Sequence, residues 1–195
     1  MDFISEETLN KGHKRLKELL AEEEYAHAVS TAEMARETAP KFGIDPDRAY
    51  AAGLFHDWCK CMPGRELIRK IMKYDSALIW EYEEFPKTVH QVLGAFEVQE
   101  ELGLTDPDVL SAMRKHTTAN GKMTDLDKLI YVIDKIEPLR DYPGVENYRQ
   151  MIVDGKLDQC FKVMLRDSIR RLIEDGKPVS LRSFRAWNTA CRIKD

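Results

Sequence analysis

Helical periodicity is the feature of this 195-residue sequence that most restricts its fold. Apolar residues recur every three or four positions nearly throughout, and no stretch has the sustained alternation that a half-buried β-strand requires. Glycine and proline are sparse, at ten and eight residues, so the chain has few of the residues that punctuate turn-rich sheets. The sequence therefore predicts an all-α fold.

Local signals for helix starts and stops divide this pattern into elements. Asp45-Pro46 and Asp106-Pro107 each combine a side-chain cap with a proline at the first helical position. Thr124 and Asp127 have the spacing of a capping box. Gly43 supplies a left-handed stop for the helix before it. The predicted helices cover approximately residues 5–20, 22–42, 46–57, 63–74, 87–102, 107–116, 124–137 and 157–175, with a last one starting at residue 180.

The length and the continuous pattern predict one domain over residues 1–195. Its core is expected to span about 22–140, with C-terminal helices at 145–195 packed on the same core. The last helix is predicted to bury three large side chains, Leu181, Phe184 and Trp187. The aromatic segment at residues 80–85 is interpreted as a connection that covers the core, with a lid or a dimer patch as alternatives.

Charge and composition exclude several classes of protein. The formal net charge is −4, which argues against a broad basic surface for nucleic acid. No apolar run is long enough to cross a bilayer, and residues 1–10 lack the features of a signal peptide. The four cysteines do not form a disulfide framework, although Cys59 and Cys61 leave open a soft-metal site. These features predict a cytoplasmic protein with reduced thiols that binds neither nucleic acid nor membrane.

Four of the five histidines are expected at inward-facing or terminal positions of helices, namely His27, His56, His90 and His116. The fifth, His13, lies among basic residues on a face predicted to be solvated. A single buried histidine is ordinarily satisfied by a nearby carbonyl or carboxylate. Here, however, His56 is followed directly by an aspartate, so an imidazole and a two-oxygen carboxylate are available side by side to bind one ion or to bridge two.

Asp134 strengthens the case for a metal site because it follows the apolar run at residues 129–133. A buried carboxylate must be neutralised, salt-bridged or metal-bound. Lys135 is adjacent in sequence, but its position points about 100° away around a helix. We therefore expect Asp134 to share a metal with His27, His56 and Asp57. The alternative is a salt bridge to one of three basic residues, Arg36, Arg114 or Lys128.

The order His, His-Asp, His, His, Asp resembles the HD-domain superfamily of metal-dependent phosphohydrolases, whose helical bundles carry these ligands on separate helices. The segment 55–60, F-H-D-W-C-K, is similar to the F-H-D-x-x-K of YqeK-type HD proteins, and 116–118, H-T-T, resembles their H-T-[ST] segment. Residues 128–144, K-L-I-Y-V-I-D-K-I-E-P-L-R-D-Y-P-G, resemble that family's run through I-E-P-x-R to F/Y-P-G. Val92 and Asn120 depart from the family's usual proline and arginine, which affects the phosphate contacts rather than the metal set.

The resemblance implies a symmetrical bis(5′-nucleosyl)-tetraphosphatase that cleaves diadenosine tetraphosphate into two ADP, with iron as the metal. Mixed imidazole and carboxylate ligands suit Fe, Mn, Co or Zn better than Mg or Ca, and the residues alone do not choose among the first four. Other substrates remain open, since a nucleotidase or a guanosine-polyphosphate hydrolase can use the same scaffold. A non-catalytic regulatory protein that binds metal and nucleotide is a further alternative. A homodimer is an assembly that the sequence leaves open.

The resemblance also implies roles for individual residues. The principal metal ligands would be His27, His56, Asp57 and Asp134, while His90 and His116 would form a second-metal or phosphate-facing side. The nucleotide would contact Asp57, Lys60, His90, His116, Thr117, Asp134 and Arg140. The catalytic residues would be Asp57, Lys60, His90 and His116. The loop 176–180 is a weaker candidate for closing over the base.

Overall fold

The computed structural model of the chain describes residues 4–192, and these form eleven α-helices, one 3-10 helix and no β-strand. The prediction of an all-α fold is confirmed. The α-helices are α1 (Glu6–Leu19), α2 (Glu22–Thr38), α3 (Pro46–Phe55), α4 (Gly64–Tyr74), α5 (Leu78–Glu84), α6 (His90–Leu102), α7 (Pro107–Lys115), α8 (Asp125–Ile136), α9 (Val145–Val153), α10 (Leu157–Glu174) and α11 (Leu181–Ala190).

Local capping signals fix the starts of three helices that carry or support the site. The side chain of Asp45 accepts hydrogen bonds from two amides in the first turn of α3, and Asp106 does the same for α7. At α8, Thr124 and Asp127 bond reciprocally to each other's main-chain amides, as a capping box requires. The three predicted caps are therefore confirmed.

Two elements differ from their predicted extents. Helix α2 ends at Thr38 instead of continuing to Phe42, and the 3-10 helix Ala39–Phe42 follows it. Pro40 accounts for this change, because it lacks an amide hydrogen and its ring would crowd the carbonyl four residues earlier. The predicted stop at Gly43 is present with φ of 67°. The aromatic connection, in turn, contains the short helix α5.

Helices α2 and α3 make the most extensive contact between elements. Ala28, Ala32 and Ala35 on α2 are fully buried, as are Ala49 and Ala52 on α3. Such small side chains allow two helix backbones to approach closely. The pairing therefore brings the chemistry-bearing residues of both helices to one place.

Helix α8 crosses the centre of the molecule and packs against α2, α3, α7, α9 and α10. Its apolar residues Leu129, Ile130, Ile133 and Ile136 are completely buried. Because other helices pack around α8, the side chain of Asp134 lies close to residues of the neighbouring helices. No helix between residues 4 and 192 has both the length and the apolar character needed to cross a membrane.

Helices α9 and α10 pack against α8, and α11 packs against α10. The predicted inward face of α11 is wrong: Leu181 and Phe184 are 58% and 40% exposed, and only Trp187 is partly buried. The buried residues are instead small ones, Ser183, Ala186 and Ala190. The small side chains allow close packing, and the Ser183 hydroxyl donates to the carbonyl of Thr118 at 2.8 Å. Residues 193–195 of the predicted C-terminal segment lie outside the described residues.

Candidate metal centre

The side chains of six predicted ligands converge from five helices. His27 lies inside α2 and Asp134 inside α8. The other four occupy helix ends. His56 follows the last residue of α3 and is itself followed by Asp57, His116 follows the last residue of α7, and His90 is the first residue of α6.

Three of the histidines are oriented by the same local hydrogen bond. His56, His90 and His116 each place Nδ1 against the main-chain carbonyl three residues earlier, at 2.6, 3.0 and 2.8 Å. A carbonyl only accepts, so each Nδ1 donates and carries the hydrogen. The Nε2 atom of each ring then points away from its own backbone and into the cluster.

Asp57 lies between two groups of histidines. Its Oδ2 is 3.1 Å from Nε2 of His56 and 3.7 Å from Nε2 of His27. Its Oδ1 is 3.2 Å from Nε2 of His90 and 3.4 Å from Nε2 of His116. Each group offers ligand atoms that all lie within 4.8 Å of one another, so one carboxylate faces two candidate cation positions.

Asp134 joins the first of these groups. Its Oδ1 is 3.0 Å from Nε2 of His27 and 3.6 Å from Nε2 of His56. The structure therefore brings together all six residues predicted as ligands. The first and the last of them, His27 and Asp134, are more than a hundred positions apart in the sequence.

The donor set fits a metal ion. The Nε2 atom of His56 is fully buried and makes no hydrogen bond, although Oδ2 of Asp57 lies 3.1 Å away; this is costly for a polar atom unless a proton or a metal ion occupies its lone pair. The Nε2 atoms of His90 and His116 are 3.1 Å apart, and both rings donate from Nδ1. Two facing lone pairs repel each other unless a proton or a metal ion lies with them.

Burial and charge give these groups unusual proton affinities. Burial opposes the protonation of His56, but Asp57 and Asp134 raise its pKa to about 10, so without a bound cation this ring is protonated near pH 7. Burial lowers the pKa of His116 to about 4, so this ring is neutral near pH 7. Burial alone would raise the pKa of both carboxyl groups, but His56 beside Asp57 and Lys135 beside Asp134 hold both values well below the usual range. Two ionised carboxylates therefore attract a cation to the cluster.

Lys135 contradicts its predicted orientation. Its Nζ lies 3.1 Å from Oδ2 of Asp134 and also donates to the carbonyls of His116 and Tyr131, both at 3.0 Å. The flexible four-carbon side chain allows the ammonium group to reach back over the preceding turn, although the helical position itself points away. The three other partners considered for Asp134 are not needed, since Arg36 pairs with Asp47, Lys128 pairs with Asp125 and Asp158, and Arg114 lies over the ring of Phe96.

Two further cations lie at the edge of the cluster. Lys60 places its Nζ 2.8 Å from Oδ2 of Asp57 and 2.8 Å from Oε2 of Glu24. Arg140 places Nη2 3.3 Å from Oδ1 of Asp134 and 3.0 Å from Nε2 of His27. Sequence reasoning singled out both cations but missed Glu24.

The cluster opens into a cleft of about 480 Å³. Seven predicted site residues line it, Asp57, Lys60, His90, His116, Thr117, Asp134 and Arg140, together with Lys87 and apolar residues such as Leu67 and Pro86. His27 and His56 do not line the cleft and are buried. Three cationic side chains around one opening suit a ligand with several negative charges. The described loop 176–180 does not line this cleft.

Thr117 and the segment after it are positioned by a residue that sequence reasoning missed. Gln91 is fully buried, and its Oε1 accepts from the amides of Thr117 and Thr118 at 3.2 and 3.3 Å. Ala119 follows with a positive φ of 58°, a conformation that side chains other than glycine adopt infrequently. The only signal in the sequence was that Gln91 is adjacent to His90.

Glu137 was also missed, although it is three residues after Asp134 and therefore on the same side of α8. It is fully buried, and its Oε1 lies 3.0 Å from Nδ1 of His27. The two thiols of the C-x-C pair, by contrast, lie apart from any cluster of potential ligands in the described part of the chain. Cys61 is exposed, burial raises the pKa of the Cys59 thiol, and neither belongs to a group of potential ligands among residues 4–192.

Comparison with known proteins places the chain in a class. A model of the HD domain matches residues 25–139. The chain therefore belongs to the HD-domain family, and with its His/Asp cluster it is a metal-dependent hydrolase. A crystal structure from Clostridium acetobutylicum, described as a predicted HD superfamily hydrolase involved in NAD metabolism, has a TM-score of 0.90 and 28% identity, covering 95% of this chain and 98% of that one.

Curated relatives define the similarity more narrowly. A protein of Bacillus subtilis, named symmetrical bis(5′-nucleosyl)-tetraphosphatase, is 34% identical over 89% of this chain and 92% of its own length. A protein of Halalkalibacterium halodurans with the same name is 32% identical over 92% and 96%, respectively. A third, from Staphylococcus aureus, is 31% identical over 85% and 86%. The resemblance drawn from the sequence is confirmed.

Proposed function

We propose that the chain hydrolyses symmetrical dinucleoside tetraphosphates and converts diadenosine tetraphosphate into two molecules of ADP. The observation that carries this proposal is Asp57, whose two oxygens face separate histidine groups at the floor of a cationic cleft. The similarity to proteins named for this activity extends over most of both chains, which supports the same substrate class here.

In this proposal His27, His56, Asp57 and Asp134 hold the principal metal ion. Asp57 also serves the second group, in which His90 and His116 hold a second ion or face a phosphate. Iron is the proposed metal, and Mn, Co or Zn suit the same imidazole and carboxylate ligands. A metal bound here supplies Lewis acidity, which lowers the pKa of a coordinated water and polarises the phosphoryl group.

The side chains around the cleft bind and orient the polyphosphate. Asp57 and Glu24 raise the pKa of Lys60 to about 12 against the opposing effect of burial, so its ammonium group is charged at neutral pH. Lys60 and Arg140 stabilise negative charge on the phosphoryl oxygens by charge-assisted hydrogen bonds. Thr117 lies 2.9 Å from Nε2 of His116 and lines the same wall. Water attacks one inner phosphorus and the bond from that atom to the oxygen bridging the two inner phosphorus atoms breaks, so each product is a nucleoside diphosphate.

The domain organisation follows the same reasoning. We propose that residues 1–195 form one domain in which the C-terminal helices support the segment after α8. The support for this is that α9 and α10 pack directly on α8, the helix that carries Asp134.

The test of the proposed function is metal-dependent hydrolysis with product analysis. Purified protein is treated with a chelator and then given Fe²⁺ without oxygen, or Mn²⁺, Co²⁺ or Zn²⁺. Diadenosine tetraphosphate, a nucleoside monophosphate and a guanosine polyphosphate are offered separately. We expect diadenosine tetraphosphate to be the preferred substrate and ADP to be its only nucleotide product. Formation of ATP and AMP in equal amounts, or preference for either other substrate, would contradict the proposal.

A further inference from the structure

His27 lacks the anchor that orients the other three histidines. It lies inside α2, where main-chain carbonyls are already bonded to the amides one turn later. A ring at such a position needs a side-chain acceptor to fix the hydrogen on one nitrogen. The acceptor nearest to Nδ1 is the carboxylate of Glu137, whose Oε1 lies 3.0 Å away.

Glu137 is itself held firmly. Its Oε2 accepts from the hydroxyl of Ser30 at 2.5 Å and from the amide of Leu139 at 2.7 Å. The residue is fully buried, so no water competes for these bonds. With Oε2 committed to two donors, Oε1 is directed to the ring of His27.

We propose that Glu137 is a positioning residue for His27, an inference that rests on the proposed metal centre. The carboxylate holds the hydrogen on Nδ1 and leaves the lone pair of Nε2 directed at Asp57 and Asp134. A carboxylate on the far nitrogen of a ligating histidine also makes the imidazole a stronger donor. Glu137 acts only through His27.

The same carboxylate connects the metal side of the site with its nucleotide side. Oε1 of Glu137 is 3.5 Å from Nε of Arg140, whose Nη2 reaches His27 and Asp134. Loss of Glu137 is therefore expected to disturb metal affinity first and nucleotide contacts second.

The test compares Glu137→Gln and Glu137→Ala with the parent by titrating chelated protein with Mn²⁺. Removing such a partner typically weakens metal binding by about 10- to 100-fold, and we expect that loss for the alanine variant. The glutamine variant should lose less, because its amide oxygen can still accept from Nδ1. In Zn²⁺-loaded protein, NMR should show the Nδ1 hydrogen of His27 protected from exchange in the parent and unprotected in Glu137→Ala.

Glu97→Gln is the matched control. Glu97 is also buried, at 2% exposure, and it pairs with Lys70 and Tyr74 outside the site. Its substitution should lower the melting temperature without changing the affinity for Mn²⁺ or the exchange of the His27 proton. An equal loss of metal affinity in this control would overturn the inference, because general instability would then explain the effect.

The remaining outcomes are also decisive. The inference fails if Glu137→Gln and Glu137→Ala bind Mn²⁺ as tightly as the parent, or if the parent does not bind the ion. If the alanine variant does not fold, the glutamine variant is used instead. Weaker Mn²⁺ binding or faster exchange of the His27 proton than in the parent then supports the inference, and no change in either contradicts it. If the parent binds Mn²⁺ but leaves diadenosine tetraphosphate intact, the proposed substrate is wrong while the affinity comparison still tests Glu137.

Discussion

Asp57 directs its two oxygens to different pairs of imidazoles, and this arrangement explains why an aspartate directly follows His56. An asparagine has nearly the same size, but it offers one acceptor oxygen and no charge. The amide nitrogen of an asparagine would face one of the histidine groups as a donor. The site therefore depends on the carboxylate itself and not on the space that it fills.

Asp57→Asn should reduce hydrolysis of diadenosine tetraphosphate by at least about 1000-fold, because a metal contributes several kcal/mol of charge stabilisation. Initial rates at saturating metal measure the effect. Asp47→Asn, at an exposed position on α3, makes the same chemical change outside the site and should keep the parent rate. A variant Asp57→Asn with more than a tenth of the parent rate would contradict this role.

The sequence identified the clustered histidines and aspartates better than it identified the residues that support them. Asp134 could be predicted because a carboxylate after an apolar run requires compensation. Lys135 was misjudged because helix geometry gives the direction of Cβ and not the reach of a long side chain. Glu137 and Gln91 were missed because their partners lie on other helices, and only the assembled fold shows which buried polar groups meet.

At the scale of elements, the close approach of α2 and α3 determines where two of the histidine rings meet. A Cβ atom built on Gly53 would lie 2.9 Å from Cα of Ala32 and 3.1 Å from the carbonyl oxygen of Thr31. These are backbone atoms, so they cannot move aside as a side-chain tip can. The rings of His27 and His56 have centroids 5.2 Å apart because the helices touch at this glycine.

Gly53→Ala should destabilise the protein by about 1–3 kcal/mol through overpacking and should weaken metal binding by separating the two helices. Urea unfolding and Mn²⁺ titration measure the two effects. Gly94→Ala on α6 is the matched control, since its Cβ would meet Cβ of Trp58 at 3.4 Å and alanine favours a helix. If Gly53→Ala were as stable as the parent, the contact between α2 and α3 would not be as close as described.

Helix α9 supports the site through one side chain. Arg149 donates to the carbonyls of Ile136, Glu137 and Arg140, each at 2.8 Å. It thereby supplies hydrogen bonds to main-chain carbonyls at the C-terminal end of α8 and holds the segment that carries Glu137, the partner of His27. The C-terminal helices therefore contribute to the geometry of the site as well as to the core.

Arg149→Met should lower stability by about 2 kcal/mol, because hydrogen bonds from a charged donor are lost and carbonyls are left without partners. The activity per folded molecule should also fall, because the main-chain carbonyl of Arg140 loses its hydrogen bond from Arg149. Thermal unfolding and initial rates measure these effects. Arg166→Met on α10 removes an exposed arginine that pairs with the neighbouring Asp167 and should change neither quantity.

Helix boundaries were predicted accurately where the residues that determine them lie within one turn of the boundary. The caps at Asp45, Asp106 and Thr124 act within one turn, so the sequence was sufficient to place them. The predicted end of α2 is too late because Pro40 already interrupts the α-helical hydrogen bonds, and Gly43 ends the 3-10 helix that follows. Which face of α11 is buried depends on how closely α10 and the segment after His116 approach the helix. The periodicity of the sequence carries no information about that distance.

At the scale of the whole molecule, the fold encloses ionised carboxylates and imidazoles at the junction of five helices. Burying charge costs free energy unless an opposite charge compensates it. Lys60, Lys135 and Arg140 provide part of that compensation. A bound divalent cation would provide the rest, so stability and metal binding are coupled.

Metal removal should therefore lower the melting temperature. A ligand at about 100 times its dissociation constant stabilises the folded state by about 2.7 kcal/mol, which is about 5–10 °C for a chain of this size. Differential scanning calorimetry with and without a chelator measures the shift. The variant Asp57→Asn should show a much smaller shift, and an unchanged melting temperature in the chelated parent would contradict the coupling.

In the proposed site Asp57 faces two cation positions formed by residues from five helices. Anomalous scattering from crystals of the protein loaded with Mn²⁺ tests it directly. We predict a peak within coordinating distance of His27, His56, Asp57 and Asp134, with a second position, when filled, beside His90 and His116. A peak elsewhere would contradict this arrangement. So would an ordered site that has no peak and in which the two aspartates are paired only with Lys60, Lys135 and Arg140.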